Sequence, residues 1–193
     1  MSCKITTVPD GSIENLKTRL KQRGWHQLGA GLFSAAYGTR TSRVVWKITK
    51  ESDAGAWCYL QAIATGALTG PHFPKLGVIL REETTGRFAV LMERLQGIKE
   101  NHAETPDEER KLMKARCDYS WARDIAYNYT TASCGHYVKQ ATDNKVAPSL
   151  IRAFLAMSAE LAKEWRFDLH NGNAMIRRDG TLVVTDPVAF AAS

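Results

Sequence analysis

Three polar residues near the end of the chain have types and a spacing that could support phosphoryl transfer. Asp168 is followed five residues later by Asn173, and Asp186 lies thirteen residues further on. Phosphoryl transfer needs a carboxylate beside the attacking hydroxyl, and oxygen ligands that hold Mg²⁺ against the nucleotide phosphates. We therefore interpret Asp168 as the base or orienting group, and Asn173 and Asp186 as the metal ligands. Asp and Asn before a strand are also common turn formers, so this segment by itself leaves a purely structural interpretation open.

Two short strands are predicted between the second and third of these residues. Residues 174–177 and 181–185 look like two short strands around the turn 178–180, which contains Asp and Gly. A hairpin of this kind brings Asn173 and Asp186 to the same end of a small sheet. The two oxygen ligands of one cation would then lie together.

A glycine-containing turn and a strand lysine lie upstream and suit an anionic ligand. Gly29 and Gly31 fall between two predicted strands, where glycine lets backbone N–H groups approach phosphate oxygens. On the strand 43–48, Val45 and Lys47 share one face. A lysine among apolar strand positions is unusual without an anionic partner, and nucleotide phosphates are the predicted partner. The alternative is an edge-strand lysine that reaches water.

The apolar pattern of the first half predicts a helix and a sheet. Residues 12–23 form a helix that Ser12 caps and Gly24 ends. Residues 25–92 form a mainly antiparallel sheet with one inserted helix, over 53–68.

The second half is predicted to be mainly helical. Residues 96–104 read as a polar linker, and Thr105 begins a helix with a capping box that runs to about residue 129. A second helix covers 148–164 and leads to the catalytic segment. The aromatic residues of the first of these helices are expected in the core rather than on a ligand-stacking surface: Tyr119, Trp121, Tyr127 and Tyr129.

Composition bounds the class of protein. The chain has 193 residues, 44% hydrophobic and 24% charged, which suits one domain or two small lobes with a sizeable core. It has no apolar run long enough for a transmembrane helix, and its first residues lack an apolar signal core, so we expect a cytoplasmic protein. The net charge of +6 suits nucleotide phosphates, but dispersed basic residues make nucleic acid a poor candidate partner.

The cysteines do not indicate a metal site or a disulfide framework. They are scattered singly and form no Cys-x-x-Cys pair. In an intracellular protein, neither zinc nor disulfides are favoured by this pattern. The four positions are Cys3, Cys58, Cys117 and Cys134.

Taken in order, these segments resemble the eukaryotic-type protein kinase fold over roughly residues 25–190. The resemblance implies an α+β fold, with a small antiparallel N-lobe sheet carrying one inserted helix, and a reduced, mainly helical C-lobe. The implied domains are a helical extension at 1–24, the N-lobe at 25–95 and a truncated C-lobe at 96–193. The implied cofactors are ATP and Mg²⁺.

The same resemblance implies a role for each matching position. Asp168 and Lys47 match catalytic residues, and Asn173 and Asp186 match the two metal ligands. Met92 takes the gatekeeper position. The positions implied to contact the nucleotide are Gly29, Gly31, Ser34, Ala36, Val45, Lys47, Met92, Glu93 and Leu95, with Ala36 and Val45 covering the ring and the backbone of Glu93 and Leu95 meeting the adenine edge.

A closer resemblance is to the early serine/threonine protein kinases of T-seven-like lytic phages, the autographiviruses. It is carried by the strings LGAGLFSAAYG, DAGAWCYL, FPKLGVI, FDLHNGNAMI and TDPVAF. It implies a phage enzyme made early in infection. Such an enzyme would phosphorylate host proteins on Ser or Thr and turn host transcription and RNA metabolism toward the phage.

Several positions depart from the kinase pattern. Arg166-Phe167 replaces the usual His-Arg before the catalytic aspartate, and Ser34 replaces the third loop glycine. Pro187 follows the second aspartate and stiffens that turn. The helix after the strand lysine has no Glu in its middle, and the nearest acids are Glu51 and Asp53.

The sequence also ends seven residues after Asp186, at Ser193. We therefore expect no activation segment and no peptide-binding helices of the kind found in larger kinases. These departures motivate a second hypothesis, that the chain is a weakly active or inactive kinase-like module that binds and inhibits a host protein. A third candidate is a small-molecule kinase, since 168–173 is also similar to the loop of antibiotic phosphotransferases. A homodimer stays open.

Overall fold

The computed structural model describes residues 3–98, 105–162 and 164–191, with the backbone alone for 189–191. Contacts divide the chain into two compact units. The first contains the described residues up to Trp57 together with Lys75–Arg94, and the second contains Cys58–Pro74 and the described residues from Leu95 onward. This grouping differs from the ranges expected from sequence, because the N-terminal strand and helix belong with the sheet and 58–74 belong with the helical unit.

The first unit is built on a six-stranded sheet with the strand order β1-β5-β6-β4-β3-β2. Its elements in chain order are β1 (Lys4–Val8), α1 (Ser12–Gln22), β2 (His26–Ala30), β3 (Ser34–Gly38), β4 (Val44–Thr49), the start of α2 (Ala54–Thr65), β5 (Leu76–Glu82) and β6 (Phe88–Glu93). The strands from β2 to β6 pair antiparallel, as predicted. Strand β1, a run rich in β-branched residues, has no counterpart in the sequence prediction; it pairs parallel with β5 and extends the sheet at that edge.

Helix α1 covers one face of this sheet. Ile13 and Leu20 pack with Ala35, Tyr37 and Ile48 in one buried cluster. Alternate strand positions point to the same face, so Ile48 and Ala35 face the helix while their sequence neighbours do not. The opposite face of β3 and β4 therefore carries the residues predicted to meet a nucleotide.

The cap of α1 differs from the prediction. Ser12 is the first helical residue, and the N-cap is Gly11 at φ 81°. The buried carboxylate of Glu82 on β5 accepts the Ile13 N–H at 2.9 Å. A carboxylate at a helix N-terminus satisfies an orphan donor and is favoured by the helix dipole. Gly24, at φ 78°, lies just past the other end of the helix, as predicted.

The second unit combines helices with two small sheets. Its elements are the rest of α2, β7 (Gln96–Gly97), α3 (Pro106–Tyr127), α4 (Cys134–Asp143), α5 (Pro148–Leu161), β8 (Trp165–Phe167), β9 (Ala174–Ile176), β10 (Leu182–Val184) and β11 (Val188–Ala191). The sheets have the orders β10-β9-β7 and β11-β8. Helix α3 packs against both α4 and α5, and its core side chains include Tyr119 and Ile125 opposite Phe154 and Met157.

The helical predictions for this unit are largely confirmed. The Thr105 hydroxyl accepts the Glu108 N–H at 3.3 Å and Pro106 occupies the first turn of α3. Gln96–Gly97, expected in a linker, instead forms β7 against β9, and 99–104 lie outside the described residues. Helix α4 and the pairing of β8 with β11 had no counterpart in the sequence prediction.

Among the described residues, no helix is long and apolar enough to cross a membrane.

Candidate active site

The second unit places the predicted base and the first predicted metal ligand in direct contact. The Nδ2 of Asn173 donates to the backbone oxygen of Asp168 at 2.6 Å and lies 3.4 Å from its Oδ2. The loop between them closes with a short 3₁₀ turn over Asn171–Asn173, and the Asn173 N–H donates to the His170 oxygen at 2.9 Å. Because the amide nitrogen of Asn173 faces Asp168, its Oδ1 remains the atom suited to a cation.

Two tyrosines of α3 hold this loop from one side. The Tyr127 hydroxyl accepts the Leu169 N–H at 3.1 Å, and the Tyr119 hydroxyl donates to the His170 oxygen at 3.4 Å. Tyr119 is fully buried, as predicted, but Tyr127 is 49% exposed and is not a core residue. Sequence reasoning missed the role of Tyr127, because helical periodicity does not show which loop lies opposite a hydroxyl.

The predicted hairpin forms and brings the third residue to the same place. Strands β9 and β10 pair antiparallel with Ala174 opposite Val184. The Thr185 N–H donates to the Asn173 oxygen at 2.9 Å, and the Asp168 N–H donates to the Pro187 oxygen at 2.8 Å. The residues on either side of Asp186 are therefore bonded to the backbones of Asn173 and Asp168.

Tyr59 on α2 fixes the same end of β10. Its fully buried hydroxyl donates to the Val184 oxygen at 2.6 Å, two residues before Asp186. Burial raises the pKa of Tyr59 well above its ordinary value of 10, and the negative charge of Asp186 raises it further. The pKa of Tyr119 is raised for parallel reasons, first by burial, then by Tyr127 and, to a smaller extent, by Asp168. Both phenols therefore stay protonated near neutral pH and act as donors.

The donor set of the second unit fits a hard divalent cation. Asn173 offers an amide oxygen and Asp186 a carboxylate, and both are only partly buried. Mg²⁺ binds through one or two carboxylates and keeps sites for water and substrate phosphate, rather than filling an all-protein cage. The residues present therefore match the Mg²⁺ that the sequence predicts at this position.

In the first unit, the predicted nucleotide residues share one sheet face. Ala36 on β3 lies opposite Lys47 on β4, which lies opposite Val90 on β6, and Val45 lies opposite Met92. Directly paired residues of antiparallel strands point to the same side. Val45 and Met92 are buried, and Ala36 and Lys47 are partly exposed. The prediction that Val45 and Lys47 share a face is thus confirmed, and the face is opposite the one that α1 covers.

The glycine-rich turn joins β2 to β3. Gly31 donates its N–H to the Ser34 oxygen at 2.8 Å, which closes a tight turn. A Cβ added at Gly29 or Gly31 would meet no atom within 4 Å, so open space lies beside both residues. Leu32, at the tip, is 78% exposed. The geometry leaves room for a ligand against the turn, which is what a phosphate loop needs.

Lys50 holds this turn in place, and nothing in the sequence marks it. Its ammonium donates to the oxygens of Gly31 at 2.8 Å and Leu32 at 3.0 Å. Its backbone N–H donates to the Phe33 oxygen at 2.8 Å. One residue after β4 therefore fixes three successive carbonyls of the turn. A lysine that follows a strand is commonly a solvated surface residue, which is why this role is visible only in the structure.

The end of β6 carries the residues predicted to meet an adenine edge. Glu93 is engaged with Lys75: its N–H donates to the Lys75 oxygen at 3.0 Å, and its Oε1 accepts the Lys75 N–H at 2.8 Å. Leu95 belongs to the second unit and is partly buried. Asp53, one of the two acids near the strand lysine, accepts the Ala56 N–H at 3.0 Å and so caps α2.

A separate cavity of about 400 Å³ lies in the second unit. Its floor includes His72 and Leu182, and its rim includes Lys111 and Asp118. None of Asp168, Asn173 and Asp186 lines it. The predicted chemistry therefore belongs to the polar loop and not to this open cavity.

These features are the parts of a phosphotransferase of the protein kinase class. They are an α+β fold, an Asp-Asn pair on one loop, a second Asp just after the following hairpin, and a glycine-rich turn before a strand lysine. The model of the family described as bacteriophage T7 protein kinase 0.7 matches residues 10–193, and the chain belongs to this family. The family implies the use of ATP and a divalent metal.

A comparison with solved structures finds an apo pseudokinase at 12% identity and a TM-score of 0.43. The alignment covers 96% of this chain, which spans 63% of the length of that solved chain. A search of curated proteins finds none that matches.

Proposed function

We propose that the chain is an ATP- and Mg²⁺-dependent serine/threonine protein kinase that phosphorylates host proteins during phage infection. The observation that carries the proposal is the bonded set of the second unit, in which Asp168 and Asn173 touch and the neighbours of Asp186 are tied to both. Membership of the phage kinase family supports the class of reaction. We propose the host cytoplasm as its location, since its substrates would be there.

In this proposal Asp168 orients the hydroxyl of the substrate and accepts its proton. The contact from Asn173 keeps the carboxylate in place, and the partly exposed position leaves it open to a substrate side chain. ATP supplies the γ-phosphoryl group, and Mg²⁺ offsets the charge on its phosphates. Asn173 and Asp186 would hold the cation through oxygen atoms.

The first unit would bind the nucleotide. Lys47 would position the phosphates, and Gly29, Gly31 and Ser34 would let backbone groups approach them. Ala36 and Val45 would cover the ring, Met92 would take the gatekeeper position, and the backbones of Glu93 and Leu95 would meet the adenine edge. The shared face of Ala36, Val45, Lys47 and Met92 supports this assignment.

The test is label transfer from ATP radiolabelled at the γ-phosphate, in the presence of Mg²⁺ and a host-cell lysate. We expect label on lysate proteins or on the chain itself. Asp186→Ala should reduce transfer by about 10³-fold or more, because electrostatic stabilisation and positioning carry this reaction. Acid hydrolysis of the labelled proteins should release phosphoserine or phosphothreonine.

Asp143→Ala is the matched control. Asp143 lies on the exposed face of α4, paired with Lys139 at 2.5 Å, and is remote in sequence from the proposed set. This variant should transfer label at the wild-type rate. No label from a wild-type protein that melts cooperatively would overturn kinase activity and favour the host-binding module, which a pull-down from the same lysate would then examine. Full transfer by Asp186→Ala would refute the metal-ligand assignment.

A further inference from the structure

The imidazole of His170 is held by a hydrogen bond at Nδ1 and faces Asp168 with Nε2. Its Nδ1 accepts the Gly172 N–H at 2.9 Å. A backbone N–H can only donate, so Nδ1 carries no proton and the neutral ring carries its proton on Nε2. Nε2 lies 3.5 Å from Oδ2 of Asp168. The tautomer that the loop selects therefore directs an N–H toward the proposed catalytic carboxylate.

Two donors face the same oxygen of Asp168. Nδ2 of Asn173 lies 3.4 Å from Oδ2, close to the 3.5 Å separation of His170 Nε2 from that atom. The hydrogen bond from Asn173 and the nearby Nε2 of His170 both lie at Oδ2 and would favour one rotamer of the carboxylate, with Oδ1 receiving the proton of a hydroxyl. Contacts of this length in catalytic sites commonly shorten when reactants bind.

The solvent exposure of His170 and Asp168 favours a positioning role for their contact over a stabilising one. The His170 and Asp168 side chains are 53% and 45% exposed. Interactions between side chains this exposed contribute little to the free energy of unfolding. The other contact of His170, with Gly172, caps the 3₁₀ turn and is the one that matters for the shape of the loop.

We propose that His170 is a positioning residue that orients the Asp168 carboxylate through Nε2–H, in addition to bracing the loop through Nδ1. The proposal rests on the proposed function, since its kinetic consequence requires that Asp168 act on the substrate hydroxyl. It assigns different tasks to the two ring nitrogens, and two amide substitutions can separate them.

His170→Asn keeps the contact with the Gly172 N–H and removes the contact with Asp168. The Oδ1 of Asn can accept the Gly172 N–H, because Asn is a favoured N-cap residue, but its amide is too short to reach Asp168. We expect the midpoint of thermal unfolding to stay within about 2 °C of wild type, while kcat falls about 10- to 100-fold and KM for ATP is unchanged. His170→Gln places an amide donor near the position of Nε2 and gives up the Nδ1 contact. His170→Gln should therefore have a higher kcat than His170→Asn, even though its loop is less well capped.

A role in the loop alone predicts the reverse order of the two variants. If His170→Asn has wild-type kcat, or if His170→Gln is the slower enzyme, the positioning role is wrong. If the wild-type protein transfers no phosphate, the proposed function fails instead, so the two failures are distinguishable.

The tautomer can be measured without any activity. In the wild-type protein labelled with ¹⁵N at histidine, long-range ¹H–¹⁵N spectra of the neutral imidazole should place the proton of His170 on Nε2. A proton on Nδ1 would overturn the proposal, because Nε2 could then not donate to Asp168.

Discussion

The catalytic loop and the glycine-rich turn hold their shapes by different means. The catalytic loop, 168–173, is bonded to Tyr119 and Tyr127 on α3 and to the backbone on both sides of Asp186. The glycine-rich turn depends for its outside support on Lys50, which bonds three of its carbonyls. Support from several elements is lost only in parts, whereas the two bonds that the exposed Lys50 ammonium makes can be lost in a single step, leaving the bond from its backbone N–H.

This difference suits the two tasks we propose. A base must stay within a fraction of an ångström of its working position, since small displacements cost large factors in rate. A loop that closes over a nucleotide must also release the product, and many enzymes use weakly held loops for this purpose. The comparison therefore predicts that damage to the first loop lowers kcat and damage to the second changes KM for ATP.

Tyr127→Phe tests whether the catalytic loop needs its support from α3. It leaves the N–H of the fully buried Leu169 without its acceptor at 3.1 Å. We expect the free energy of unfolding to fall by about 1–2 kcal/mol and kcat to fall about 10-fold. Urea unfolding and steady-state kinetics measure the two effects. Tyr137→Phe, on α4, serves as the control, and an unchanged kcat in Tyr127→Phe would show that the loop does not need this support.

Lys50→Met tests whether the glycine-rich turn needs the Lys50 ammonium. The Gly31 and Leu32 oxygens lose their ammonium donor, so the turn should sample more shapes. We expect KM for ATP to rise about 3- to 10-fold with kcat within about 2-fold of wild type. Lys50→Arg should retain most of the affinity, because a guanidinium can donate to two carbonyls. Lys21→Met on α1 is the control, and a loss in kcat without a change in KM would contradict this assignment.

His72, in the second unit, makes the free energy of unfolding depend on pH. Its Nδ1 donates to the Leu182 oxygen at 2.8 Å, and its Nε2 accepts from the Ser149 hydroxyl at 2.9 Å. Burial lowers the pKa of His72 below its ordinary value of 6.5. The unfolded chain therefore binds the proton first as pH falls. The stability that His72 contributes is fully present above 6.5 and is lost between 6.5 and the lower folded pKa.

This predicts a smaller free energy of unfolding at about pH 5.5 than at about pH 7.5, and a flatter profile for His72→Gln. Among the described residues of the first unit, no group with a shifted pKa responds in that range. Asp10 and Glu14, whose pKa values are lowered by hydrogen bonds from Thr84 and Lys17, respond only in acid. Denaturant melts at the two pH values measure the difference. A profile in His72→Gln as steep as the wild-type profile would assign the pH response to another group.

Much of the local structure could be predicted from the sequence. The capping box at Thr105, the glycine that ends α1 and the hairpin after Asn173 each arise from residues that lie a few positions apart. Such signals depend on backbone preferences and on short-range hydrogen bonds, which the sequence displays directly. The shared face of Val45 and Lys47 likewise follows from the two-residue period of a strand.

Contacts between distant segments could not be predicted. β1 pairs with β5, more than seventy residues away, and the Glu82 carboxylate rather than a Ser12 cap accepts the Ile13 N–H in the first turn of α1. Strand β8 has only three residues and no adjacent turn that would mark a hairpin, and its pairing partner, β11, comes more than twenty residues later. In each case the local structure depends on a segment that is distant in the chain, and a single sequence does not show which segment that is.

The same division applies to the candidate site. The sequence by itself determined the residue types and their spacing across a hairpin: carboxylate and amide oxygens suit Mg²⁺, and a carboxylate suits an attacking hydroxyl. It also determined the family, through motifs kept in order. The tertiary structure decided which groups hold those residues: Tyr127 at Leu169, His170 at Asp168 and Lys50 at the glycine-rich turn. A side chain's hydrogen-bond partner depends on where the fold places it, and that placement is a property of the packed core and not of any local segment.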